Sequence, residues 1–419
     1  MIKTTTFIGL FFLAALVVAM PFTAAQAQVK VQCPGDIDGD AVPDEFLVDG
    51  VTPNPEYDPD VVCMHLTAGD GFINMADDTR KLQYVFGFAD VTGVPENQAI
   101  AAGTLAANFS APTIKVKQGS KLYLTLTNVG MVIRADLFDP HTVHYHGFPQ
   151  AAPVFDGVPD SSISINMGAS LTYFYYNAEP GTFMYHCHVE ATEHMQMGML
   201  GNLYVTPFQD GTAFADSDGS GRPYTKFAYN DGDGSTGYDV DYPVQIAAFD
   251  PDFHDASLEV QPLPFALMDD RYPMLNGRGY PDTVNAAEIV NTAGTDGFDS
   301  VDRASQKIST LIEATQGQKI LLRLSSLSTT SFHTLSVLGI PMKVVGKDAR
   351  QLRGPDGKDM YYMTNTVTLG GGEAYDIILD TLNVQPGTYF LYATNLDHLS
   401  NHNEDFGGMM TEIRISAAR

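Results

Sequence analysis

The chain carries one pattern twice, and that repeat limits the architectures open to it. IKVKQGSKLYLTLTN at 114–128 aligns with IEATQGQKILLRLSS at 312–326, and PGTFMYHCH at 180–188 aligns with PGTYFLYAT at 386–394. Between them HTVHYHGFP at 141–149 aligns with HTLSVLGIP at 333–341, and Gly198-Met199 and Gly408-Met409 each lead into a last strand. The first pair of blocks reads as two alternating strands joined in a hairpin by a Gln-Gly turn. Short strands, frequent Gly and Pro, and no long 3.6-residue period make each half an all-β sandwich.

The ends and the connection complete the plan. Lys3, the apolar run from Phe7 to Met20 and Ala25-Gln26-Ala27 read as a secretory leader over 1–27, so a periplasmic or secreted protein is expected. Residues 28–79 read as an acidic N-terminal extension, 80–208 as the first sandwich, 209–240 as an Asp/Gly-rich solvated linker and 241–419 as the second sandwich. An exported chain meets oxidising conditions, and Cys33 and Cys63 are read as a disulfide, closing a loop worth about 3 kcal/mol. That leaves Cys187 free for chemistry. Within the extension Asp36, Asp38, Asp40 and Asp44 have the spacing of a calcium loop, with a solvated acidic turn as the alternative. With 50 Asp+Glu against 23 Lys+Arg the net charge is −27, which excludes nucleic acid and anionic membrane as partners. No later segment is long and apolar enough to span a bilayer.

Six of the eleven histidines fall in two short stretches of the first half, His141-x-x-His144-x-His146 and His186-Cys187-His188 followed by His194. On a strand, neighbours point to opposite faces, so Cys187 faces away from His186 and His188. Cys187 with His141, His194 and a weak thioether from Met199 is the ligand set of a blue-copper electron-transfer site. His144, His146, His186 and His188 are left for a second, imidazole-rich copper site. The second half has Ser336, Leu338, Tyr392, Ala393 and Thr394 at five of these positions and keeps only His333, opposite His141. It reads as a degenerate copy. His65 and His254 are assigned to packing, and Met195 and Met197 to loop packing.

From about residue 80 onward the chain resembles the two-domain multicopper oxidases, laccase-like proteins related to copper nitrite reductases. HTVHYHG resembles the family's HxxHxHG, and HCHVEATEHMQMGM resembles HCHxxxHxxxxM with a longer stretch between His188 and His194. The resemblance implies two cupredoxin-like Greek-key sandwiches. It further implies a type 1 copper on His141, Cys187, His194 and axial Met199, a type 2 ligand in His144, and type 3 ligands in His146, His186 and His188. Dioxygen would be reduced to water at that cluster. In the family the cluster takes half its histidines from another domain, and here the second half offers His333, His398 and His402 without an HxH pair. The nitrite reductases imply the competing reading, one catalytic copper on His146, His186 and a histidine of the next subunit, with His333 as a catalytic residue. A third is a blue-copper electron carrier. The resemblance also implies a closed homotrimer. The electron donor stays open among phenols, metal ions and a redox protein.

Overall fold

The computed structural model describes residues 29–148, 151–215, 221–291 and 301–418. The leader read at 1–27 lies outside them, as do 216–220 of the linker. Among the described residues no helix is long and apolar enough to cross a membrane.

The first domain is two four-stranded sheets face to face. One holds β1 (Val61–Asn74), β2 (Leu82–Asp90), β4 (Lys121–Gly130) and β6 (Ser170–Tyr176) in the order β2-β1-β4-β6. The other holds β3 (Ile114–Lys117), β5 (His144–His146), β7 (Gly181–His186) and β8 (Leu200–Thr206) in the order β3-β8-β7-β5. Alternation fills the space between them: Ile114 and Val116 of β3 and Leu122, Leu124 and Leu126 of β4 are buried in one core with Tyr173, Tyr175, Phe183 and Tyr185.

The second domain copies this wiring. Val240–Phe249 runs parallel to Lys319–Ser326 as β1 does to β4, and Ile312–Thr315 runs parallel to Met410–Ser416 as β3 does to β8. Its two sheets enclose a separate aliphatic core around Leu322, Leu324, Leu335 and Ile377.

Three expectations change. The Gln118-Gly119 turn does not make a hairpin: β3 pairs with β8, whereas β4 pairs with β1 and β6, so the turn carries the chain from one sheet to the other. Gly119, with φ +86°, supplies the left-handed conformation this crossing needs. The first sheet also begins earlier than residue 80, because Val61–Asn74 is its longest strand. Asp70 disguised that strand; its buried carboxylate accepts from the Val132 and Ile133 amides and from Tyr84 Oη. Finally, the connection packs as well as spans. Ala228, Tyr229 and Tyr238 are buried against Leu321, Val345 and Ile378, since aromatic anchors alternate there with Asp and Gly.

The N-terminal extension is fastened by the Cys33–Cys63 disulfide, as expected. A short helix, α1 (Ala99–Gly103), lies against β1 and β4. Between the domains, Thr182 of β7 donates to Asp376, which faces the fully buried Arg323 at 3.6 Å, and Arg323 reaches Asp241 at 3.2 Å. Charges this deep persist because each is paired.

Candidate metal centres

Strand parity separates two clusters at the end of β7. Cys187 turns toward the sandwich interior, where it is fully buried. His141 Nδ1 lies 3.8 Å from its Sγ and His194 Nδ1 lies 3.2 Å away. The three ligand atoms sit within 4.8 Å of one another. The Thr142 amide points at the sulfur from 3.5 Å. Met199 is buried in the same core, and its carbonyl accepts from the Cys187 amide at 3.2 Å. The sequence leads back to this point through α2 (Ala191–Met197), which Gly198 ends at φ +122°. A Cβ at Gly198 would lie 2.5 Å from the Phe109 ring, so only glycine lets Met199 return beside Cys187.

Burial lowers the basicity of His141 far below its ordinary value, with His194 adding to the effect. His194 goes the other way: burial opposes its charge, but the Cys187 sulfur and the Asp139 carboxylate raise its pKa to about 10. The Nε2 atoms of both rings are buried without a hydrogen-bond partner. Asp139 Oδ2, 3.8 Å from His194 Nε2, is the nearest charge. Sequence reading missed Asp139, although it lies only two residues before His141.

The opposite face holds the second cluster. His144, His146 and His186 bring ligand atoms within 4.8 Å of one another. Their tautomers follow from their partners, because a carbonyl only accepts. His144 Nδ1–H donates to the Asp156 carbonyl at 2.6 Å, and His186 Nδ1–H donates to the Cys187 carbonyl at 2.7 Å. Both therefore present Nε2 lone pairs, and His186 Nε2 lies 2.8 Å from His146 Nε2. His188 stands at the rim, its ring 4.9 Å from that of His144 and stacked 5.6 Å from His186. The second domain reaches in through Gly372, where a Cβ would lie 3.0 Å from His146 Nδ1. Burial lowers the basicity of all three clustered histidines, to about 3 for His186. They are thus neutral at pH 7, the form in which an imidazole can bind a metal.

Thiolate with two imidazoles and a thioether, and a separate neutral three-imidazole group, both suit copper. The Cys187 sulfur, buried between the Nδ1 atoms of His141 and His194, fits a metal held by all three. The family model for multicopper oxidases matches residues 91–210 and a second such model matches 270–412. The chain belongs to the multicopper oxidase family. Among sequence relatives in the family, the L-ascorbate oxidase of Cucurbita pepo var. melopepo is 33% identical over 119 residues, which are 27% of this chain and 19% of that enzyme. The chain thus spans only a minor part of that relative. Among solved structures, the blue copper oxidase from Nitrosomonas europaea superposes with a TM-score of 0.58 at 22% identity, covering 85% of this chain and 86% of that one. The copper nitrite reductase from the same organism gives 0.55 at 15% identity, covering 85% and 94%. These structural likenesses concern the fold.

In this multicopper oxidase chain the second domain is not separate from the segment that carries His194 and Met199. Gln196, buried in α2 between His194 and Met199, donates to Asp270 at 3.0 Å and accepts from Thr329 at 3.0 Å. Thr330 adds a bond to the other oxygen of Asp270. The backbone carbonyl of Gln196 lies 3.0 Å from Nε2 of His254, a residue of α3 (Pro251–Leu258). His254 is fully buried, as its packing role implies, and so is His65, 2.8 Å from Thr127 Oγ1.

The remaining site residues fall apart into separate places. His333 Nδ1 meets His398 Nδ1 at 3.1 Å within the second domain. Among the described residues no hydrogen bond or ring contact joins this pair to the first-domain histidines. His402 does not join them; its ring lies against Tyr272, 5.6 Å away. Asp36, Asp38 and Asp40 converge within 4.8 Å, whereas Asp44 stands outside that group and accepts from the Ile37 amide.

Proposed function

We propose that this is an exported copper oxidoreductase that takes single electrons from a donor at the type 1 site and reduces dioxygen to water at the histidine-rich site. The observation that carries the reading is the pair of clusters facing opposite ways across the His186–Cys187 peptide. When bound, copper supplies the one-electron steps and the activation of the oxidant. His141, Cys187, His194 and Met199 would hold the type 1 ion, and the Thr142 amide points at the sulfur. The hydrogen bond from His186 Nδ1 to the Cys187 carbonyl links the two clusters and would give electrons a short bonded route between bound ions. His144, His146, His186 and the rim residue His188 serve the second site. The second domain, with His333 and the candidate ligands His398 and His402, docks on the copper face of a neighbouring subunit in a homotrimer. The donor is a phenol, a metal ion or a redox protein. The carboxylates of Asp36, Asp38 and Asp40 form a calcium loop.

One observation favours nitrite reduction as a second reading. Of the four histidines assigned to the second site, three, His144, His146 and His186, bring ligand atoms together among the described residues, a number that suits a single catalytic copper. Copper stoichiometry with EPR, oxygen uptake and nitrite-dependent nitric oxide production separate the two. Four coppers per chain with oxygen consumption support the oxidase; two with nitric oxide support the reductase. One copper and neither activity leaves an electron carrier and refutes both. Cys187→Ser is expected to abolish the intense visible absorption, which requires copper-bound thiolate; a mutant that stays blue refutes the type 1 assignment.

A further inference from the structure

An electron donor cannot touch the type 1 ligands of this chain. His141, Cys187, His194 and Met199 are each fully buried, so electrons enter through the residues that cover them. Over His194 that cover is one side chain deep. Its Nε2 has no hydrogen-bond partner and is aimed at the Asp139 carboxylate, 3.8 Å away. Asp139 reaches the surface, and the residue before it, Phe138, is 72% exposed.

Two apolar loops flank this point. Ile133 and Leu137, ahead of His141, are half-buried on the first-domain core, and so are Leu258, Leu263 and Met268, at the end of α3 and beyond it. Arg134 ties the loops together: it donates to the Ser257 carbonyl and pairs with Asp136 at 2.7 Å. Each loop also leaves large side chains in water, Val132 and Phe138 on one, and Val260, Phe265 and the 79% exposed Leu267 on the other. Apolar side chains gathered this way on a folded surface mark a face that another molecule covers. The border is acidic. Asp136, Glu190 and Glu259 are exposed, and the charges of Glu190 and Asp139 both act on the half-buried Glu193. An apolar patch with a carboxylate rim, on a chain of net charge −27, repels acidic proteins and steers basic ones into contact. A neutral phenol gains nothing from that rim.

We propose that this face, built from the loops around Phe138 and Leu267 and bordered by Asp136, Glu190 and Glu259, is the docking site of a basic electron-transfer protein. Each encounter oxidises the partner's redox group by one electron and reduces the type 1 centre by one, across the contact of Asp139 with His194. Because Leu267 and Glu259 come from beyond the first domain, the face exists only where both domains meet. The electron-transfer role rests on the type 1 reading; the binding itself does not.

The test is calorimetric binding of ferric mitochondrial cytochrome c, a basic protein that cannot donate in this state, to the full chain with and without copper. Affinity should fall about tenfold between about 20 mM and about 200 mM salt. At low salt Phe138→Ser, Leu267→Ser and Glu190→Lys should each weaken binding about tenfold. Glu313→Lys makes the same charge change on the strand Ile312–Thr315 of the second domain and should weaken it far less. Circular dichroism checks folding. In stopped flow, ferrous cytochrome c should bleach the visible band of the copper-loaded chain, and the three variants should lower that rate relative to the rate with hydroquinone. No binding at low salt, or equal affinities in wild type, Phe138→Ser and Glu190→Lys, overturns the proposal. So do variants that slow hydroquinone or ferrous ion as much as cytochrome c, because the face then serves a small donor. Failure of the type 1 reading appears separately, as a copper-loaded chain without the visible band, whatever the binding.

Discussion

Replacing Gln196 by alanine tests whether the second domain sets the geometry of the type 1 loop. The side chain makes two bonds across the domain boundary, one to the Asp270 carboxylate and one from the Thr329 hydroxyl, both 3.0 Å. A bond to a charged group contributes about 1.5–3 kcal/mol and a neutral one about 0.5–1.5. Asp270 is only partly buried, so water replaces some of what is lost. The expected destabilisation is therefore about 2–3 kcal/mol, read by urea unfolding of the metal-loaded chain. The second readout is spectroscopic. Gln196 lies two residues after His194 and three before Met199, so a freed loop would shift the Met199 thioether relative to Cys187. The relative intensities of the visible bands and the type 1 reduction potential should both shift at unchanged copper content. Thr329→Val should shift them in the same direction, and the double variant should fall short of the sum because the two residues share one bond. An unfolding free energy within about 0.5 kcal/mol of wild type, together with a superimposable spectrum, refutes the coupling.

Other outcomes follow from the same geometry. His65 is fully buried, and burial lowers its pKa to about 4. The unfolded chain, with an ordinary value near 6.5, therefore binds a proton the fold does not. Stability from this residue is complete above about pH 6.5 and falls by up to about 1.4 kcal/mol per pH unit down to about pH 4. In urea titrations of the metal-free chain His65→Gln should flatten that slope, and an unchanged slope speaks against the assignment. Replacing Cys33 and Cys63 together by serine opens a loop with a sequence separation of 30 and should cost about 3–4 kcal/mol in unfolding experiments under oxidising conditions. Gly372→Ala puts a Cβ 3.0 Å from His146 Nδ1 at a backbone φ of +90°. It should weaken copper at the second cluster in EPR-monitored titration while the type 1 band stays, and equal affinity would show that His146 does not depend on this contact.

Much of this arrangement was legible in the residues. The repeat foretold that the two halves would share one all-β sandwich plan, and period-2 parity placed Cys187 and His186 on opposite faces. Local pattern could not reveal partners. The alternation in β3 and β4 is the same whether they pair with each other or stand in opposite sheets. Asp70 reads as surface until Val132, Ile133 and Tyr84 close around it, and that hid the strand at Val61–Asn74. Asp139, Gly372 and the contacts of Gln196 act through space, two of them from the other domain. The pairing of His398 with His333 spans 65 positions, and no local period encodes it.

The placement of two sites across a single peptide bond also governs how such a chain can change. Inserting or deleting one residue within β7 would reverse the parity of everything after it, sending the sulfur toward the imidazoles and the His186 ring into the sandwich. Both centres would be lost in one event. The stretch between His188 and His194 is under no such restriction, because it leaves the strand and returns through a helical turn before Gly198. Length can accumulate there without turning any ligand over, and that is where this sequence is longer than the motif it resembles. Variation along the metal-bearing segment is therefore channelled: the strand admits substitutions only, and the loop admits insertions.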